Sequence, residues 1–160
     1  MPFARIKNQA VTDTYTYDVT KLLSRVKLLM TDSNAKLNIA VIDDDQFARD
    51  FAKSALSSIA NVSRFSSGEE FVSYYEGSKP SLDLMVIDIV LGGMNGIELT
   101  KYVRANIKEH HIPIIMFSSH NNYEMERIAF EAGASLTIPK GLSAQLFRMK
   151  VEAIIALAKS

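Results

Sequence analysis

The chain of 160 residues contains no cysteine, only four prolines and only seven glycines. Without cysteine there is no disulfide framework, no thiolate metal site and no cysteine nucleophile. No low-complexity tract and no internal repeat is visible. Charge of one sign is also missing: 18 Lys and Arg balance 18 Asp and Glu, for a net charge of +0. A neutral chain without a lysine or arginine run offers no broad field to nucleic acid or to an anionic membrane, so neither is an expected direct partner. No segment approaches the ~18 consecutive apolar residues that span a bilayer. The opening MPFARIKNQAVTDTYTYD has no apolar stretch of the signal-peptide kind. A cytoplasmic location is expected. What is present is a globular composition, 48% hydrophobic and 22% charged, at a length that suits one domain with a short appendage.

The appendage is expected at residues 1–36. After a polar start rich in Thr and Tyr, Val19, Leu22, Leu23, Val26, Leu29 and Met30 fall on one helical stripe, with Asp18 placed to cap it. The stretch TDSNAK at 31–36 then reads as a linker. From residue 37 to 160 the pattern alternates. Apolar runs at 37–42, 84–87 and 114–117, with weaker ones at 61–65 and 135–139, lack the polar alternation of a half-exposed strand. They predict strands covered on both faces, as in a parallel sheet. Helical patterns separate them. Phe47, Phe51, Ala55, Leu56 and Ile59 predict one apolar face for the first, and Ser67 with Glu70 predicts a capping box opening the second at 67–75. A third covers 96–106. A fourth covers 122–132 and stops at Gly133, and a last one is capped by Ser143. Five strand–helix units predict an α/β fold with an open, doubly wound sheet.

In such sheets the working crevice lies at the carboxyl ends of the strands, where the strand order reverses. With the flavodoxin-like order 2-1-3-4-5, strands 1 and 3 are neighbours. Asp43, Asp44 and Asp45 follow strand 1 and Asp88 ends strand 3, so two or three acids should meet Asp88 at one edge. Strand 4 delivers Ser118 and Ser119 to that edge, and strand 5 delivers Lys140. Crowded carboxylates need a compensating cation, and Mg²⁺ with its preference for oxygen ligands is suited to the task. Aspartate can serve as a phosphoryl acceptor, a reaction that is mostly positioning and charge neutralisation. The cluster is read as a metal site with Asp88 as its nucleophile.

Four blocks in order, IAVIDDDQF, MVIDIVLGGMNGIEL, PIIMFSSHN and GASLTIPKGL, closely resemble the receiver domain of two-component response regulators over residues 37–159. The resemblance implies Asp43 and Asp44 as metal-binding carboxylates, Asp88 as phospho-acceptor and the backbone carbonyl of Val90 as a further metal ligand. It also implies Ser118 as a switch hydroxyl and Lys140 as the partner of the acceptor or its phosphate. It implies a histidine kinase or phosphotransfer protein upstream and a protein effector downstream. Three positions depart from the family pattern. Gly141 stands where a proline often follows the lysine, with Pro139 before it instead; GGMNG replaces PGMDG beside Asp88; and Thr137 replaces the aromatic residue whose inward swing usually reports phosphorylation.

Plainer readings stand beside these. The acidic triplet could be an exposed loop, with Asp45 starting a helix rather than binding metal. Lys140 could be a surface lysine, and His110, His111 and His120 read as loop residues. A phosphorylation-independent scaffold of the same fold is the alternative function. An enzyme is not expected: a phosphatase with an aspartyl-phosphate intermediate would want an acid two residues after its nucleophile, where this chain has Val90. The last helix is apolar over a wide arc, with Leu146, Phe147, Met149, Val151, Ile154, Ile155 and Leu157. The N-terminal helix is expected to cover the surplus, within one chain or across a homodimer.

Overall fold

Successive residues along a strand face opposite ways, and in the central strands here both faces are covered. The computed structural model describes residues 21, 24, 28, 35–108, 111–119 and 122–159. Five strands, β1 (Leu37–Ile42), β2 (Ala60–Phe65), β3 (Leu84–Ile87), β4 (Ile114–Ser118) and β5 (Leu136–Pro139), form one parallel sheet in the order β2-β1-β3-β4-β5. Between and after them lie α1 (Gln46–Leu56), α2 (Gly68–Ser78), α3 (Gly96–Asn106), α4 (Tyr123–Ala132) and α5 (Ala144–Lys159). This is the doubly wound, flavodoxin-like α/β fold expected from the apolar runs.

Ala40, Ile42, Met85, Ile87, Ile114 and Met116 pack with Phe71, Leu99, Val103 and Ala129 of α2, α3 and α4. Their neighbours Ile39, Val41, Leu84, Val86, Ile115 and Phe117 pack with Ala52, Leu56, Phe147 and Val151 of α1 and α5. Every apolar position of β1, β3 and β4 is therefore claimed by one core or the other, which removes the polar alternation a one-sided sheet would show.

Local signals set most helix ends. Asp45 accepts a hydrogen bond from Phe47 N and caps α1, as its expected helix-starting role requires. Asn95 and Glu98 form a reciprocal capping box on α3. Asn122 caps α4, which stops at Gly133 with φ 114°. Ser143 Oγ accepts from Leu146 N at the start of α5.

Two helix expectations need correction. The predicted apolar face of α1 included Phe47, but that ring is 85% exposed; Ala48, Ala52, Ala55 and Leu56 are buried, with Phe51 partly so. Residue 47 sits in the first turn, off the buried stripe that runs through Ala48, Ala52, Ala55 and Leu56. At α2, Ser67 does cap Glu70 N, but the Glu70 carboxylate turns back to Ser66 N and Oγ rather than to Ser67, so the box is not closed. That helix also runs to Ser78, past the expected end near 75, and stops where Lys79 takes φ 45°.

In α5, Phe147, Val151 and Ile155 face the core, while Leu146 and Met149 are exposed. The stripe Val19, Leu22, Leu23, Val26, Leu29 and Met30, its cap Asp18, and His110 and His120 lie outside the described residues. Within the N-terminal stretch Lys21, Ser24 and Leu28 are helical. Among the described residues no helix is long and apolar enough to cross a membrane.

Candidate functional site

The chain leaves β1 toward one edge of the sheet to form β2 and returns on the other side as β3, so β1 and β3 flank the reversal. Ile42 pairs in register with Ile87, so the next residues, Asp43 and Asp88, emerge side by side. Backbone bonds lock the pair in place: Asp88 N donates to Ile42 O at 2.9 Å and Asp43 N to Phe65 O at 3.1 Å. Ser118 likewise pairs with Pro139, and Lys140 N donates to Ser118 O at 2.9 Å. The sheet thus delivers the acids, the hydroxyl-bearing strand and the lysine to one rim.

Asp43, Asp44 and Asp88 each bring a carboxylate oxygen within 4.8 Å of the others. Asp43 and Asp88 are buried, 1% and 6% exposed, and Asp44 is exposed. Asp45 stands apart from them as the α1 cap. Lys140 Nζ lies 2.7 Å from Asp43 Oδ2 and 3.2 Å from Asp88 Oδ2. Asp43 Oδ1 accepts from Asp45 N at 2.9 Å, and Asp88 Oδ1 from Val90 N at 3.3 Å. Ser118 is buried at the end of β4, 1% exposed, whereas Ser119 is exposed.

The charges do not balance locally. Burial, and then the neighbouring Asp43 carboxylate, push Asp88 up to about 6 against the pull of Lys140. Burial alone would lower the Lys140 ammonium, but its contacts with Asp43 and Asp88 outweigh that and hold it raised. Asp43 Oδ2 is buried and makes no aligned hydrogen bond, facing only the ammonium group. A buried carboxylate oxygen whose one close partner is an ammonium, beside two further carboxylates, is the oxygen donor set a hard divalent cation requires, so these residues fit Mg²⁺.

Sequence reasoning missed Arg49. Its guanidinium donates to the Asp43 carbonyl at 2.7 Å, fixing the backbone of the acidic turn from α1. One arginine in an amphipathic helix carries no sequence signal for that contact. The departures noted in the sequence have structural counterparts. Gly141 has φ 103°, a conformation closed to proline, whose ring fixes φ near −65°. Thr137 Oγ1 donates to Glu126 Oε1 at 2.8 Å, tying β5 to α4 where an aromatic side chain would otherwise stand.

Comparison with known proteins agrees with this geometry. The sequence model of the response regulator receiver domain matches residues 39–152. The chain is 28% identical over 117 residues to the heme response regulator HssR of Staphylococcus epidermidis, covering 71% of this chain and 50% of that protein. It is 26% identical to chemotaxis protein CheY-3 of Vibrio cholerae, covering 76% of this chain and 93% of the other. It spans half or less of the length of several curated relatives it matches. Among solved structures, chemotaxis protein CheY4 of Vibrio cholerae superposes with a TM-score of 0.70 at 20% identity, covering 75% of this chain and 99% of that one. At that identity the likeness is one of fold.

Proposed function

The chain belongs to the response regulator receiver domain family, and from that premise we propose that it is a phosphoryl-accepting switch of a two-component relay, with Asp88 as acceptor. The observation that carries this reading is the convergence of three carboxylates within 4.8 Å on a lysine that bridges Asp43 and Asp88. A carboxylate oxygen of Asp88 attacks phosphorus in line with the bond to the donor. The donor is a phosphohistidine of a kinase or phosphotransfer protein. Its P–N bond breaks, the electron pair leaves with the imidazole, and Asp88 becomes a mixed acyl phosphate. Lys140 moves from pairing with the carboxylate to pairing with a phosphoryl oxygen, and the Ser118 hydroxyl donates to another. Asp43, Asp44 and Asp88, with the Val90 carbonyl, would hold Mg²⁺, which supplies neutralisation of charge on the transferred group.

The test is incubation of the full chain with Mg²⁺ and acetyl phosphate. A mass gain of about 80 Da is expected, and it should be absent from Asp88→Ala. Failure of the wild-type chain to take up the group would favour the second reading, a scaffold of receiver fold that binds partners without phosphorylation. The Thr137–Glu126 tie favours that reading, because a hydrogen bond holds β5 to α4 at the position where the family's aromatic residue would swing inward. Catalytic turnover of phosphate esters is not proposed, since Val90 offers no proton-transfer group.

Residues 37–160 form the receiver unit in this reading and residues 1–36 an extension. The apolar stripe of 19–30 covers Leu146 and Met149 of α5 in a second copy of the chain, giving a homodimer. The double variant Leu22→Asp/Val26→Asp should halve the solution mass. Unchanged mass with lowered stability would place the contact within one chain, and no change in either would remove it.

A further inference from the structure

The loop after β3 carries Asp88 at its start and includes Gly92 and Gly93 at its tip. Two adjacent glycines cost more conformational entropy to order than a proline-bearing loop would. Gly93 uses its freedom, with φ 69°. Inside the loop, Gly96 N donates to Ile89 O at 2.9 Å and closes the base. The tip is held from outside. Met94 N donates to Glu69 Oε1 at 2.6 Å, a contact between residues 25 apart in the chain.

Glu69 lies in the first turn of α2, where a carboxylate is also favoured by the helix dipole. The fit around it is close. A Cβ on Gly93 would stand 2.6 Å from Glu69 Oε1, and one on Gly68 would stand 3.0 Å from Met94 Sδ. Gly68 and Gly93 thus permit the helix and loop to approach, and the carboxylate joins them by a charge-assisted bond. That bond is the main reason the Glu69 carboxyl is held below its usual range. Glu70, one residue on, faces Ser66 instead, so the role belongs to Glu69 alone of the pair.

We propose that Glu69 is a positioning residue for phosphoryl transfer, holding the Asp88 loop in its reactive shape by binding the Met94 amide from the neighbouring helix. The inference deepens the phospho-acceptor reading and rests on it. Displacing a reacting group by a fraction of an ångström is enough to slow transfer, and Asp88 and Val90 sit on the segment that Glu69 restrains.

The experiment compares full-length wild type, Glu69→Ala and Glu69→Gln. It measures the rate of labelling by acetyl phosphate with Mg²⁺ and, separately, exchange of the Met94 amide hydrogen. In Glu69→Ala both should change, labelling slowing and Met94 exchange accelerating, each by about tenfold. Glu69→Gln keeps an accepting oxygen and should restore most of both. Exchange at Val86 in the central strand should stay at the wild-type rate in every variant, showing an intact fold. Wild-type labelling in Glu69→Ala would overturn the inference. So would a Glu69→Gln variant that protects Met94 yet labels as slowly as the alanine. If the wild-type chain takes no label, the phospho-acceptor reading fails first and takes the inference with it, whereas normal wild-type labelling isolates a failure to Glu69.

Discussion

Asp83 and Asp88 flank the same four-residue strand, β3, and have opposite fates. Asp83, at the amino end, accepts from Asn38 N at 2.8 Å, and Lys159 Nζ stands 3.8 Å from its other oxygen. Its carboxylate remains partly open to water and serves to close the ladder between β3 and β1. Asp88, at the carboxyl end, is buried beside Asp43 and shares one lysine with it. The same residue type stabilises one rim and strains the other. The sheet edge at which the strand order reverses concentrates unbalanced charge, and that imbalance is available to a cation or a transferred group. At the opposite edge the Asp83 carboxylate has an amide donor and a lysine of its own.

The largest expected effect comes from breaking the packing that holds the strained rim. Gly96 opens α3 directly behind Asp88, and a Cβ there would stand 2.0 Å from the Asp88 carbonyl oxygen and 2.9 Å from Ile89 Cα. Both obstacles are backbone, so no side chain can swing aside. Gly96→Ala should cost about 3 kcal/mol or more in denaturant unfolding and abolish labelling by acetyl phosphate. The Asn38–Asp83 bond at the other rim should survive, seen as retained protection of the Asn38 amide. Stability within experimental error of wild type would show that the loop yields more easily than its packing implies.

Neutralising each aspartate should shift stability in opposite directions. Asp88 has a folded-state pKa of about 6, above the ordinary 3.8. Its contribution is fully present below about pH 4, where it is protonated in both states, and is lost as pH rises past 6. At pH 7 without divalent cation its ionised form therefore weakens the fold, by about 2–3 kcal/mol. Asp88→Asn should recover most of that at pH 7 and flatten the decline between pH 4 and 6. Asp83→Ala should instead lose about 1 kcal/mol by leaving the Asn38 amide without its acceptor. Urea unfolding of both variants at pH 4.0 and 7.0 checks the contrast, and a destabilised Asp88→Asn at pH 7 would refute it.

The Asp88 side of this contrast could be read from the chain; the role of Asp83 could not. The apolar runs at 37–42, broken only by Asn38, and at 84–87 identified buried parallel strands, and their register then forced Asp43 and Asp88 together. Lys140 was legible for the same reason, since the strand before it could run in only one direction. The missing parts are contacts with no periodic signature. Arg49 reaches a carbonyl, and Glu69 an amide 25 residues away, and any surface arginine or glutamate has the same local sequence. Phe47 was misread because the buried stripe of α1 is built largely from alanines, Ala48, Ala52 and Ala55, whose small side chains give a weaker signal than the phenylalanine beside them. Asp45, expected to start a helix, does so as the cap of α1. Hydrophobic pattern thus located the rim, while polar detail within it depended on tertiary approach.

The exposed Phe47 gives the smallest expected effect on the fold and a distinct one on function. Its ring is 85% exposed two residues after Asp45, at the mouth of the acidic rim. Beside the same helix is a cleft of about 190 Å³, lined by Ala48, Phe51, Phe117, Lys140, Gly141 and Leu142. An aromatic ring left in water costs solvation and contributes no packing, so its removal should leave stability within about 0.5 kcal/mol of wild type. Aromatic residues are enriched among the anchors of protein interfaces, and Phe47 is placed to serve as one for a donor protein. Acetyl phosphate is too small to use such an anchor, whereas a phosphohistidine-bearing protein must lay a surface across this mouth to reach Asp88. Phe47→Ala should therefore label with acetyl phosphate at the wild-type rate but accept from a phosphorylated transfer protein at least about fivefold more slowly. Equal slowing with both donors would assign Phe47 to the shape of the acidic turn, and no slowing with either would leave the ring without a role at this rim.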